Sequence, residues 1–292
     1  MGGQIIRGLP IDEYHAHPAW SSSKIRVIDT HGPLYAIRKV RGELKPTEQT
    51  DALRKGSLFD ALVTGEGAED FQVAPETLDR RTKAGKEWAA EVEAQGRTII
   101  TPAEAAWAHD AFEALMAIPE ARESIEEAEF QVSLRARLAT HPLFELQGRP
   151  DLTCLDGLKA TDFIPTFDDL KSARSLDAFA RGNHVLDYGY HVQAAIVREV
   201  AREAGIDETR HRWFVVTKPD QPPVQAVVFN ITEAWMAHGT RDLYRALDRI
   251  YRWTESGAWP RTEKAVLDAV PPAWLDRRVE AEEREEAFGE AA

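Results

Sequence analysis

Cysteine is nearly absent from this sequence, and long apolar runs do not occur in it. The 292 residues include one cysteine, Cys154, which excludes a disulfide within the chain and any all-cysteine zinc or iron–sulfur site. No uninterrupted apolar stretch reaches the ~18 residues that span a bilayer, and the N-terminus lacks the apolar run of a signal peptide. We therefore expect a cytoplasmic protein without an iron–sulfur cluster and without a membrane partner.

Motifs for nucleotide cofactors are also missing. The sequence contains no P-loop and no G-x-G-x-x-G, so ATP- or NAD-driven chemistry has no support. The 9 histidines show no H-E-x-x-H or similar spacing, which favours structural or surface roles for them. We accordingly predict no ATP site.

Basic residues are outnumbered by acidic ones. The net charge of −13 argues against non-specific coating of nucleic acid, because phosphate contacts supply most of that affinity. The charge is unevenly distributed: residues 24–55 hold eight Lys or Arg against four Asp or Glu, and residues 276–292 hold seven acidic residues and three Arg. A local basic channel therefore remains compatible with the composition.

The apolar residues are sufficient for a large core and change their spacing along the chain. With 43% apolar residues the chain is not disordered. Helix-cap signals and helical spacing predict helices near residues 24–28, 50–63, 82–95 and 101–116, the last opened by a Thr101–Glu104 capping box. Alternation predicts strands at 130–138, 144–155, an extended region ending at 170, and a pair at 213–217 and 224–229. Helical spacing returns at 175–179, 186–204 and 232–254.

These patterns predict an α+β fold with a central mixed sheet flanked by helices and a helical N-terminal region. We interpret residues 1–275 as a single domain, with a helical part at about 1–128 and a catalytic core at about 129–255. Residues 276–292 form an acidic tail, which we expect to fray.

Two short segments carry chemistry: Gly148-Arg149-Pro150-Asp151 and Asp169-Leu170-Lys171. Each places a carboxylate at or near a strand end, and strand alternation points Asp169 and Lys171 to the same side. Mg²⁺ favours a few carboxylate oxygens plus waters and substrate phosphate, and the neighbouring ammonium can stabilise the transition state of phosphodiester hydrolysis. The D-x-K pattern alone is weak, because it occurs by chance in many proteins.

The order of several further segments makes the pattern more specific. They are Tyr14, Ser21–Ser23, Gly56–Leu62, Arg81–Lys86, Glu129, Gly148–Asp151, Asp169–Ser172 and Tyr188–Gln193. In this order they resemble the RecE-type exonuclease domain of the PD-(D/E)XK nuclease superfamily, which is related to the RecB-type and lambda-exonuclease groups. The resemblance covers roughly residues 11–275, and each segment is loose by itself.

The resemblance implies a PD-(D/E)XK core and a role for each matching residue. Asp151 and Asp169 would bind Mg²⁺, or alternatively Mn²⁺, together with the backbone carbonyl of Leu170, and Lys171 would position the attacking water. Three further matching residues would complete the catalytic set: Glu129 near the metal, and Tyr190 and Gln193 at the scissile phosphate or beside Lys171. The family has His where this chain has Asp60, which we expect to serve as a metal ligand instead.

The resemblance further implies a DNA exonuclease that resects linear duplex ends, in the 5′ to 3′ direction, in recombination or in phage and prophage DNA metabolism. We expect the terminal phosphate to bind where Ser22, Ser23, Lys24 and Arg26 begin a helix, with Arg149 as a further DNA contact. Relatives enclose DNA in a ring, so we expect a homo-oligomeric ring whose inner channel carries Lys24, Arg26, Arg38, Lys39 and Lys55. A single-strand annealing protein would be its partner.

Other interpretations remain open from the sequence. The same fold could serve an endonuclease in DNA defence or repair, or a catalytically silent DNA-binding relative. Individual residues also have ordinary structural roles open to them. Asp151 could be a turn residue, Lys171 a solvated strand end and Asp60 a surface helix residue. Glu129 could continue an acidic helix face, Tyr190 and Gln193 could pack a helix, and the serines could be only a helix cap.

Overall fold

The computed structural model describes residues 2–44, 50–79, 81–155, 164–220 and 222–262. Its strands are β1 (Gln4–Ile6), β2 (Phe71–Val73), β3 (Thr98–Ile100), β4 (Glu129–Phe130), β5 (Ser133–Ala136), β6 (Leu146–Gly148), β7 (Leu152–Cys154), β8 (Thr166–Ala173), β9 (Arg210–Thr217) and β10 (Ala226–Asn230). Its helices are α1 (Ile11–Ala16), α2 (Ser22–His31), α3 (Pro33–Val40), α4 (Asp51–Thr64), α5 (Lys83–Ala94), α6 (Pro102–Met116), α7 (Pro119–Glu127), α8 (Leu176–Ala180), α9 (Asn183–Tyr188), α10 (Tyr190–Glu203) and α11 (Glu233–Ser256).

The central sheet has five strands in the order β10-β9-β8-β7-β4. β8 and β9 run parallel over eight register pairs, from Thr166↔Arg210 to Ala173↔Thr217, and the remaining pairs in this sheet are antiparallel. A three-stranded sheet, β1-β5-β6, and the parallel pair β2-β3 complete the strands of the described residues. The predicted central mixed sheet with flanking helices is thereby confirmed.

Both faces of the central sheet are covered. One face presents Leu170, Phe214 and Val216 to an apolar cluster that includes side chains of α4, α6 and α7. Trp213 and Val215 point to the opposite face, where they pack with Phe179 of α8 and with residues of α9 and α10. Because alternate residues of a strand point to opposite faces and both faces are covered, the C-terminal half of β9 is a continuous apolar run from Trp213 to Val216.

Helices α10 and α11 pack closely behind the second face. Gly239 of α11 lies directly against α10, and a Cβ at this position would overlap the carbonyl oxygen of His191. The contact continues through buried residues of both helices, among them Ile196, Val200, Leu243 and Leu247. This packing holds the first turn of α10 firmly against the sheet.

Most predicted helix starts are confirmed. The side chains of Thr50, Thr82 and Thr232 cap α4, α5 and α11, and Thr101 and Glu104 form the predicted capping box of α6. Helix α2 begins at the predicted serines, although the Ser21 side chain makes no cap bond.

Three predicted elements are divided in the structure. The strand predicted at 144–155 separates into β6 and β7, which belong to different sheets. The strand predicted at 130–138 breaks at Gln131, whose φ of 50° ends β4 and lets β5 join the other sheet. The helix predicted at 186–204 breaks at Gly189, whose φ of 68° separates α9 from α10. The sequence patterns did not indicate α1, α3 or α7, nor the three short strands β1, β2 and β3 in the part predicted to be helical.

No helix among the described residues is long and apolar enough to cross a membrane. The acidic tail 276–292 and the domain end near 275 lie outside the described residues, so both stay predictions.

Candidate active site

Strand β8 carries the centre of the candidate site. Asp169 and Lys171 point to the same side of the strand, as alternation predicted, and Lys171 Nζ lies 3.4 Å from Asp169 Oδ1. The two side chains are 6% and 10% exposed, so their charges interact in a largely dry environment. Burial raises the pKa of Asp169 to about 7, and the nearby Asp151 adds to this while Lys171 opposes it.

Asp151 reaches the same place from the start of β7. Its Oδ2 accepts a hydrogen bond from the backbone N–H of Leu170, at 2.7 Å, so the carboxylate lies against the backbone between Asp169 and Lys171. Burial raises its pKa, and Lys171 and the Leu170 N–H act in the opposite direction. The two predicted metal ligands and the peptide of Leu170 therefore meet at one point.

Asp60 of α4 is the third carboxylate of the group. It is half-buried, and burial, Asp151 and Asp169 together hold its pKa well above its ordinary range. It lines a cleft of about 820 Å³ whose wall also includes Tyr14, Arg149 and Asp151. Asp60 therefore lies near the carboxylate pair and is not a solvated residue on a helix surface.

Helix α10 contributes two side chains from its first turn. Gln193 Nε2 donates a hydrogen bond to Asp169 Oδ1 at 2.7 Å. The ring of Tyr190 lies 5.0 Å from Lys171 Nζ, a cation–π contact. Gln193 therefore fixes the orientation of Asp169, and Tyr190 supports the lysine.

The donor set fits a hard divalent cation that keeps part of its water shell. Among the described residues, no three His, Cys, Asp or Glu side chains converge as a ready-made ligand cage. Mg²⁺ needs no such cage, since it is usually bound by one or two carboxylates plus waters and substrate phosphate. Asp60, Asp151 and Asp169 are three carboxylates beside the one ammonium of Lys171, and burial raises the pKa of each of them. Asp151 and Asp169 are the residues that would hold the cation.

The predicted phosphate pocket at the start of α2 is wrong in one essential residue. Lys24 is buried, and its Nζ donates hydrogen bonds to the carbonyl oxygens of His17 (2.6 Å) and Ala19 (3.0 Å). Burial lowers its pKa to about 8. Lys24 therefore ties down the N-terminal segment and cannot face a DNA channel. Ser22 is half-buried and Ser23 exposed at the helix start, and Arg26 is exposed beside Tyr188.

Arg149 and Glu129 lie outside the carboxylate cluster. Arg149 donates hydrogen bonds to the carbonyl oxygen of Leu9 (2.8 Å) and to Gln131 Oε1 (2.7 Å), so it borders the cleft while bracing its wall. Both oxygens of Glu129 are bound by Arg7, whose hydrogen bond lowers the pKa of this carboxyl. Glu129 opens β4 as predicted, but its contacts are with Arg7.

Sequence reasoning missed a second buried carboxylate on β8. Asp168 points to the opposite face from Asp169 and accepts hydrogen bonds from Arg212 Nε (2.8 Å), Arg212 Nη2 (2.6 Å) and Ser124 Oγ (2.6 Å). Burial raises the pKa of Asp168, and Arg212 and Ser124 oppose that shift. Alternation alone could have separated the two aspartates, but nothing in the sequence pointed to Arg212 as the partner.

The mixed sheet with paired carboxylates and a lysine on adjoining strands defines the PD-(D/E)XK class of proteins. Residues 21–267 match a family described as a PDDEXK-like domain of unknown function (DUF3799), and the chain belongs to that family. The predicted superfamily and fold class are confirmed, and family and fold together support a nuclease. The narrower RecE-type assignment stays a prediction.

A solved structure shares this fold. A Eubacterium rectale protein named "Putative exonuclease" is 13% identical and superposes with a TM-score of 0.57, covering 92% of this chain and 97% of that chain. At this identity the likeness shows the fold alone. A protein named SSO0001 is 14% identical over 65% of this chain and 84% of its own, but its TM-score of 0.28 carries no argument. No curated protein matches the chain.

Proposed function

We propose that this protein is a metal-dependent DNA exonuclease that resects the 5′-ended strand of linear duplexes. The observation that carries the proposal is the meeting of Asp151, Asp169 and Lys171, with Asp60 at the cleft and Gln193 on Asp169. Such a group of carboxylates suits a divalent cation. The cation and the Lys171 ammonium would together stabilise the negative charge that develops in the transition state of phosphodiester hydrolysis.

Lys171 acts as a cation in this scheme. The surrounding carboxylates raise its pKa above its ordinary value, so the ammonium keeps its proton at neutral pH. It can therefore hold the attacking water by hydrogen bonding and stabilise charge on the phosphoryl oxygens, and it does not serve as the general base. Its contacts with Asp169 and the Tyr190 ring keep it in one orientation. A bound Mg²⁺ would supply hydroxide from a coordinated water and neutralise charge at phosphorus.

The direct test compares linear and covalently closed duplex DNA, each incubated with Mg²⁺, Mn²⁺ or EDTA. We expect metal-dependent release of nucleotides from the 5′ ends of linear DNA, faster with a 5′ phosphate than with a 5′ hydroxyl. Closed circles should resist degradation, and EDTA should abolish the reaction. Rapid cutting of closed circles would replace this proposal with an endonuclease, and binding without cleavage would replace it with a silent relative.

Asp60 provides a sharper test of the metal site. If it replaces the family histidine as a ligand, Asp60→Ala should weaken metal affinity by about 10- to 100-fold, the range seen when groups around a metal are lost. Asp60→His should retain activity with a shift toward Mn²⁺, because imidazole suits softer metals. Wild-type turnover in Asp60→Ala would remove Asp60 from the site.

We further propose that the protein works in the cytoplasm as a ring around DNA, together with a single-strand annealing protein in recombination or phage DNA metabolism. Cations outside the buried Lys24 support a basic channel: Arg26 on α2 and Arg38 on α3 are exposed, Lys39 on α3 is half-buried, and the Lys55 side chain on α4 is 33% exposed. A closed ring forms when each subunit binds the next through the same head-to-tail interface. Light scattering should therefore report the mass of an oligomer. A monomer at micromolar concentration contradicts the ring.

A further inference from the structure

A column of two stacked aromatic rings between two cations runs outward from the catalytic lysine. Lys171 Nζ lies 5.0 Å from the Tyr190 ring centre, and the rings of Tyr190 and Tyr188 stack with centres 5.6 Å apart and planes 16° apart. The Arg26 guanidinium lies 5.2 Å from the centre of the Tyr188 ring. The buried end of the column is therefore the reaction centre, and the other end is at the surface.

The break at Gly189 creates this column. Residues two apart on one continuous helix point in nearly opposite directions, since each residue advances about 100°. Tyr188 is instead the last residue of α9 and Tyr190 the first of α10, and the left-handed Gly189 between them lets the two rings stack. Phe179 stacks near Tyr190 from the core side, so the inner ring is fixed. Tyr188 remains 47% exposed.

The Tyr188 ring packs on Tyr190 and against His184, yet nearly half of the residue stays open to solvent. The adjacent hollow, of about 340 Å³, is bordered by three arginines and three aspartates: Arg26, Arg245, Arg249, Asp29, Asp187 and Asp242. Arg245 and Arg249 form ion pairs with Asp242 and Asp29, whereas Arg26 lies over the Tyr188 ring. An exposed cation beside an exposed ring, next to a phosphodiester-cleaving centre, matches what single-stranded nucleic acid requires: a π-face for a base and a cation for the backbone.

We propose that Tyr188 is the stacking platform for an unpaired nucleobase next to the scissile phosphate, and that Arg26 binds the phosphate of that nucleotide. This inference rests on the nuclease function proposed above and specifies the form of DNA at the site, a frayed end. A base within a duplex has both faces covered by its neighbours, whereas an unpaired terminal base has a free face to place on the ring.

The relative strengths of the two contacts favour this exchange. An exposed cation–π contact contributes a factor of about two to five to an equilibrium, whereas a base stacked on an aromatic side chain contributes about five- to 150-fold. A base can therefore displace the Arg26 guanidinium from Tyr188. The released guanidinium is then available for a charge-assisted hydrogen bond to phosphate.

Binding measurements on the full-length protein test the platform. Two fluorescent 5′-phosphorylated duplexes of one sequence are used in EDTA, one blunt and one with three unpaired nucleotides at the 5′ end. We expect Tyr188→Leu to weaken binding of the unpaired end by about five- to 150-fold and blunt binding by much less, with Tyr188→Phe within about twofold of wild type. Leu186→Ala is the matched control, because Leu186 lies on the same helix, is 56% exposed and has no ring.

A second readout uses the wild-type protein and so does not depend on how the variants fold. A 5-iododeoxyuridine placed at the unpaired position should crosslink on irradiation to the peptide that contains Tyr188. A crosslink elsewhere, or unchanged affinity in Tyr188→Leu with cleavage intact in the wild type, overturns the platform and leaves the nuclease proposal standing. If the wild type neither binds nor cleaves either duplex, the nuclease proposal fails, and the platform fails with it.

Discussion

Asp168 and Asp169 are neighbours on one strand, have the same side chain and are almost equally buried, yet their surroundings differ. Asp168 faces a guanidinium that binds both of its oxygens, with a serine hydroxyl as a further donor. Asp169 shares a single lysine with Asp151 and lies near Asp60. One carboxylate has a counter-charge of its own, and the other belongs to a group with excess negative charge.

This difference separates a structural aspartate from a catalytic one. When a buried carboxylate has its own counter-charge, removing either partner destabilises the fold because the other charge is left buried and unpaired. A buried carboxylate whose charge is not fully compensated is instead a candidate ligand for a metal cation. The comparison also explains why burial by itself does not identify a site. What distinguishes the two aspartates is how many cationic donors face each carboxylate relative to the number of other carboxylates nearby.

The largest effect is expected from Asp169→Asn. It should lower the rate of DNA cleavage on the order of 10³-fold or more, because the catalytic group acts as a unit. The free energy of unfolding of the metal-free protein should stay the same or rise, since the substitution removes an uncompensated charge. Single-turnover assays and chemical denaturation measure the two quantities. Full cleavage in this variant would place the chemistry elsewhere.

Asp168→Ala should show the opposite pattern. It leaves Arg212 nearly buried without its counter-charge, which costs about 3–5 kcal/mol of stability. Under conditions where the variant remains folded, we expect its cleavage rate to stay near that of the wild type. The double variant Asp168→Leu/Arg212→Met is the control, because replacing both partners by apolar groups should restore most of the lost stability. Equal losses in the single and double variants would contradict a paired role.

His211 extends the comparison to acid stability. It is buried on β9 beside Arg212, and burial lowers its pKa to about 3. Below about pH 6.5 the unfolded state therefore binds a proton at His211 that the folded state does not bind. The free energy of unfolding decreases as pH falls below this value. Denaturation at pH 7.5 and 5.0 should show a larger loss for the wild type than for His211→Gln. Parallel losses would assign the acid sensitivity to other groups.

Glu129→Gln should produce the smallest effect. Its partner Arg7 has a side chain 57% exposed, and exposed ion pairs contribute about 0–1 kcal/mol. We expect stability to change within that range and metal-dependent cleavage to remain at the wild-type rate. A large loss of cleavage in Glu129→Gln would show that this carboxylate belongs to the catalytic group. It would also weaken the distinction between structural carboxylates with their own counter-charge and catalytic ones such as Asp169.

The sequence predicted those features that depend on local pattern. Period-two alternation correctly placed Asp169 and Lys171 on one side of β8, and capping residues located the starts of α4, α5, α6 and α11. Asp151, Gln193 and Tyr190 reach the cluster through tertiary contacts. Their selection depended on the order and spacing of the matching segments.

Other features depend on contacts between distant residues and left no local signal. Lys24 is buried and donates hydrogen bonds to the carbonyl oxygens of His17 and Ala19, although its position in a basic stretch of sequence indicated a surface role. The left-handed Gln131 divides an alternating run that looks continuous in the sequence. Arg7 binds Glu129 across 122 positions, a pairing that no short window of sequence could show.

The pairing of β8 on both sides has a kinetic consequence. All eight residues of β8 pair with β9, and Thr166, Phe167 and Asp168 also pair with β7. Backbone amides in such a strand exchange with solvent chiefly through global unfolding. Asp169 and Lys171 therefore sit in a segment whose deuterium uptake should be among the slowest in the molecule.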